Sequence, residues 1–160
     1  MDWMFCIIYC PRRITMEEYS EDNRKHLDYL QALITRMNSN SFQLKSFAIT
    51  IVAALLAVFA STQKIAFILI AIVPLLMFWF LDAFYLQQER KIRGIYNDVI
   101  GYTKNFEIEV YQIPLHLYKG NGYSYVEAFF SKTVLFLYLP ILILLAGSSF
   151  LLLINNYKIY

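Results

Sequence analysis

The sequence predicts an all-α membrane protein with three transmembrane helices, a tight hairpin plus one C-terminal span, together with cytoplasmic amphipathic helices. Ser46 to Gln63 and Ile65 to Leu81 are apolar, uncharged stretches separated only by Lys64, and Thr133 to Tyr157 is a third uncharged run. Each is close to or above the ~20 residues that a helix needs to cross the hydrocarbon core. A chain of 160 residues that is 59% hydrophobic, with a mean hydropathy of +0.47, also has too little polar surface to dissolve as a globule.

Orientation follows from the cations, because Lys and Arg close to a span resist translocation. Arg12, Arg13, Arg24, Lys25, Arg36 and Lys45 precede the first span, and Arg90, Lys91, Arg93, Lys104, Lys119 and Lys132 lie between the second and third. Only Lys64 and Lys158 fall on the other side. The N-terminus and the segment 87–132 are therefore expected on the cytoplasmic side of the membrane, with the hairpin tip and C-terminus outside. The net charge of +2 comes from cations at the inner-leaflet boundary. They suit anionic lipid there, and nucleic acid is not an expected partner.

Residues 1–19 form an N-terminal segment. Asp2 stands where a signal peptide needs a cation, and no small-residue cleavage site follows, so no cleaved signal is read. Met16 is an alternative start to Met1, which would make the preceding residues an upstream extension. Cys6 and Cys10 are too few for a structural zinc site and read as incidental, with lipid modification as the alternative.

Over 20–42, Leu27, Leu30, Leu33 or Ile34, and Met37 recur at helical spacing among Glu21, Arg24, Lys25, Asp28, Gln31 and Arg36. This is an amphipathic helix whose mixed charges favour packing on another helix over lying on lipid. The first span covers 43–63, where Ala53, Ala57 and Ser61 form a small-residue stripe suited to close approach, foremost to the second span. The second covers 65–86, with Pro74 as a potential bend. Its aromatic collar includes Trp79 and Tyr85 as interface anchors, and the helix runs on past Gln87. Within 87–132, Phe106, Ile108 and Val110 alternate with glutamates in a short strand-like pattern that is equally compatible with helix or loop, and 119–122 is a turn. The third span covers 133–156, with Pro140 and a Gly147 packing position; Tyr157 anchors it, and 157–160 is an external tail.

Asp82 is the sharpest chemical signal, because a carboxylate at the end of a span needs a partner or water. Counted from a turn near Thr62, it stands at the depth of Gln43, given the equal rise of the two helices. A polar cluster of Asn38, Asn40, Ser41, Gln43, Lys45 and Asp82 is expected at the hairpin mouth, with Lys45 and Asp82 as its charged pair. The competing reading is a hydrated interfacial carboxylate. His26 and His116 are the only histidines, and no catalytic or metal-binding spacing occurs, so no enzyme activity, cofactor or metal is expected.

In layout, the stretch from Leu27 to Ile100 resembles the SLATT-type small membrane effectors of bacterial anti-phage and nucleotide-signalling systems. The likeness is carried by 37–41 (Met-Asn-Ser-Asn-Ser) and by Asp82 through Arg90, within an amphipathic helix, tight hairpin and continuing charged helix. The third span departs from the two-span pattern. The resemblance implies an oligomer that perturbs the bacterial inner membrane when a cytoplasmic partner signals. A non-catalytic anchor docking a soluble partner, and an enzyme acting at the inner leaflet, are the other classes. Expected partners are the bilayer, further copies of the chain and a soluble cytoplasmic protein.

Overall fold

The computed structural model describes residues 21–120 and 122–157, with side chains through Phe150. The segment 1–19 with Met16, Cys6 and Cys10, the Tyr157 side chain and residues 158–160 lie outside the described residues. The described chain is all-helical: α1 Glu21–Thr62, α2 Ala66–Val99, α3 Tyr125–Phe129 and α4 Lys132–Tyr157.

The amphipathic segment and the first span form one unbroken helix, as do the second span and its polar extension. Glu21 and Asp22 sit in the first turn of α1, where the helix dipole favours negative charge. The helix stops at Gln63, whose left-handed φ of 55° turns the chain while its N–H caps the Phe59 carbonyl at 2.8 Å. Its side-chain amide takes the Ala60 carbonyl at 2.9 Å, so the tip leaves few orphan acceptors. α2 ends before Gly101, where φ is 73° and the N–H bonds to the Asp98 carbonyl at 3.0 Å.

α1 and α2 pack antiparallel, and α3 and α4 lie against α2. Two cores result. One joins Ala48 and Val52 of α1, Ile68, Ala71, Leu75 and Trp79 of α2, and Val134, Tyr138 and Leu145 of α4. The other joins Leu30, Ile92, Ile95 and Tyr118 at the polar end of the helix pair. The segment 106–110 is irregular, so its alternation of apolar and charged residues makes no strand; among the described residues there is no strand to pair with it, and Ile108 instead packs on the polar-end core.

Three helices are long and apolar enough to cross a membrane, within Glu21–Thr62, Ala66–Val99 and Lys132–Phe150. Phe47, Leu69, Val73, Met77, Phe136 and Ile143 point outward from them. The arrangement is compatible with a multi-pass membrane protein, in which lipid rather than water meets those side chains.

The small-residue stripe does not close the hairpin. Ala53, Ala57 and Ser61 are exposed, whereas Ala48, Val52, Leu55, Leu56 and Phe59 form the packed face. At about 100° per residue the stripe lies on the opposite side of α1, and larger side chains fill the seam. Gly147 is likewise exposed, with nothing within 4 Å of where a Cβ would stand.

Candidate functional site

Between the two cores lies a buried ionic clasp. Ser41 and Lys45 are one helical turn apart and so share a face of α1. Asp82 meets them from α2 with no exposed surface at all. Lys45 Nζ stands 2.9 Å from Asp82 Oδ2 and 3.0 Å from Oδ1, and donates to Ser41 Oγ at 2.6 Å. Ser41 Oγ in turn donates to Asp82 Oδ1. Lys45 keeps about a quarter of its side chain accessible, which suits a long cation that runs its stem along apolar surface. Tyr138 closes the site from α4: its hydroxyl donates to the Phe78 carbonyl at 3.4 Å and lies beside the Asp82 carboxyl.

Of the six expected members, Ser41, Lys45 and Asp82 come together. Asn38 and Gln43 are exposed and Asn40 is half-buried, without joining the clasp. Trp79 departs from its expected role as an interface anchor. It is 7% exposed and stacks on Phe129 at 4.8 Å and Tyr138 at 5.8 Å, with Nε1 donating to the Phe129 carbonyl at 3.2 Å. α3 supplies that carbonyl and covers the ring, so the indole faces protein. Tyr85 is half-buried against Phe84.

A second polar cluster sits at the polar end and was not among the sequence candidates. Asp98 of α2 accepts the Tyr118 hydroxyl at 2.5 Å, the Asn105 N–H at 3.3 Å and the Thr103 hydroxyl. Those three donors hold the loop after α2 against the helix and satisfy the buried carboxylate. Burial first, then the Asp98 carboxylate, push the Tyr118 phenol well above its usual range, so it stays a donor. Gly94 makes this possible, because a Cβ there would stand 2.8 Å from the Tyr118 ring and 2.6 Å from the Tyr123 hydroxyl.

His26 of α1 faces the same region. It is 1% exposed, neither ring nitrogen makes a well-formed hydrogen bond, and burial lowers its pKa against a weaker opposing pull from the Gln112 backbone. It lines a cleft of about 540 Å³ together with Asp98, Lys104, Asn105, Phe106 and Glu107. Among the described residues, no group of three or more His, Cys, Asp or Glu side chains could hold a metal ion.

The clasp ties α1 to α2 at one level along the pair. The Asp98 cluster orders a loop. Compared with known protein families, curated proteins and solved structures, the chain matches none.

Proposed function

We propose that this protein is an oligomeric membrane-perturbing or pore-forming effector of the bacterial inner membrane, acting in anti-phage defence, with its N-terminus cytoplasmic and its C-terminus external. One observation carries the reading: α1 and α2 each continue without a break from the His26 and Asp98 region, past the Lys45–Asp82 clasp, into the apolar hairpin. An event at the polar end thus has a continuous helical route into the bilayer. A buried ion pair on that route adds little net stability against its desolvation cost, which suits a contact that forms and breaks. The proposed activity is non-catalytic.

A second reading, an anchor that docks a soluble cytoplasmic partner, is favoured by the exposed apolar side chains of Phe106, Val110, Tyr111 and Leu117 beyond α2.

Dye entry into cells making the protein from an inducible promoter separates the two. Wild type is compared with Asp82→Asn and Lys45→Gln, each checked for insertion. Leakage in the wild type that changes in either variant supports the effector. Intact cells with well-inserted wild type, together with copurification of a soluble protein, favour the anchor.

A further inference from the structure

A smaller cleft, of about 240 Å³, lies on the other side of the polar end. One wall is a single face of α2 carrying Glu89, Arg90, Arg93 and Gly94; the other is the turn at Gly122 and Tyr123. The turn is tied to α2 where Gln87 Nε2 donates to the Tyr123 carbonyl at 3.0 Å and the Tyr125 hydroxyl donates to the Phe80 carbonyl at 3.0 Å. Gly94 keeps the cleft open, since a Cβ there would stand 2.6 Å from the Tyr123 hydroxyl.

Among the residues that line this cleft, two arginines face one glutamate. Glu89, 7% exposed, is bonded to Arg93 on the next turn. Arg90 is half-buried and, among the described residues, meets no carboxylate. Lys91 follows it on the helix. The Gly122 amide is taken by the Glu127 carboxylate, and among the described residues Arg90 is the lining cation without an acidic partner, with Asn97 and the Tyr123 hydroxyl beside it as neutral donors. A partly desolvated guanidinium calls for a bidentate oxyanion, and a phosphate group fits its fork.

The level on the helix indicates the source of that phosphate. Arg90 is about 12 Å beyond Asp82 along α2. Helical side chains lean toward the helix N-terminus, which here is toward the apolar hairpin. An extended arginine therefore brings its guanidinium back toward the headgroup layer, about 5–8 Å deep on each face of a bilayer. We infer that the Arg90 cleft binds the phosphate of an anionic phospholipid headgroup, fixing the depth of α2. The lipid source rests on the multi-pass orientation proposed above; the phosphate chemistry does not.

The test is native mass spectrometry of the full chain released from detergent, with phosphatidylglycerol or phosphatidylcholine of equal chain length added. Phosphatidylglycerol is retained preferentially by the wild type. Arg90→Gln lowers that retention about tenfold, the loss expected for a charged, two-pronged contact. Arg90→Lys retains part of it, and Lys119→Gln, outside the cleft, retains all of it. Excess inorganic phosphate leaves the lipid bound. Equal retention of both lipids by the wild type overturns the anionic headgroup as the ligand, and an equal effect of Arg90→Gln and Lys119→Gln in variants of matched thermal stability overturns the site. Displacement of lipid by inorganic phosphate keeps the phosphate site and overturns its lipid source. Extraction of the chain from membranes by alkaline carbonate overturns the multi-pass reading and the lipid source with it, while carbonate resistance with equal lipid retention overturns the anionic headgroup alone.

Discussion

Lys45 Nζ stands 2.9 Å from Asp82 Oδ2, and the two partners are buried very unequally: the lysine side chain is 25% exposed and the carboxylate 0%. This asymmetry decides which half of the pair is dispensable. Asp82→Asn leaves Lys45 able to extend toward water and keeps an acceptor for Ser41. Lys45→Met strands a buried charge, a change that costs about 3 kcal/mol or more where it has been measured. Thermal unfolding in detergent should therefore rank Lys45→Met well below Asp82→Asn, with the double variant above Lys45→Met. The opposite ranking would mean that the carboxylate is hydrated and the clasp carries little energy.

Gly94 is the tightest point of the polar end. Gly94→Ala drives a methyl into the Tyr118 ring, 2.8 Å away, and the Tyr123 hydroxyl, 2.6 Å away. Overpacking of this kind costs about 1–3 kcal/mol. Tyr123→Phe removes one of the two clashes, so the double variant should be less destabilised than the two single changes summed, as a double-mutant cycle would read.

His26 makes the polar end sensitive to acid. Its ordinary pKa is 6.5, and burial lowers it in the folded chain. As pH falls, the unfolded chain takes up the proton first, so stability held by the neutral ring is complete above pH 6.5 and is lost as pH drops through the folded value. Asp98, Lys104 and Glu107 line the same cleft and set the field the charged ring would meet. Melting the wild type and His26→Leu between about pH 7.5 and pH 5 should show a slope in the first that is reduced in the second.

Trp79 links α2, α3 and α4. Trp79→Phe keeps an aromatic stack but leaves the Phe129 carbonyl without its donor, at a cost of about 1 kcal/mol. Trp79→Ala opens a cavity and should cost about 3 kcal/mol or more. In a Trp3→Phe background, the near-ultraviolet circular dichroism of Trp79 should collapse on the same melting curve as the α4 packing. A signal lost earlier would separate α3 from the core.

The hairpin and its ion pair were legible because both depend on distance from a tip that one lysine marks. Depth alone admitted too many neighbours. Gln43 is about 160° around α1 from Ser41, and Asn40 about 100°, while Asn38 is about 4.5 Å farther along the axis, so equal level did not mean contact. The same omission placed Ala53, Ala57 and Ser61 in the seam, when their rotation sets them outside it. The Asp98 cluster left no periodic trace. It requires the loop after α2 to fold back and bring Tyr118 to Asp98 across irregular chain, and only the run of tyrosines between Tyr102 and Tyr125 hints at buried phenols. Trp79 is covered by α3, whose five residues are too few to leave a helical period in the sequence.

The unbroken course of α1 has a mechanical consequence. At 42 residues it is a rod about 63 Å long. Lys45 divides the working part into nearly equal arms, about 28 Å back to His26 and about 26 Å on to Thr62. If the clasp with Asp82 acts as a fulcrum, a tilt of about 10° sweeps the hairpin tip sideways by ~4–5 Å and His26 by a similar distance the other way. Motion would cross this lever without being amplified or lost, so a displacement at the tip would be about as large as the one at His26.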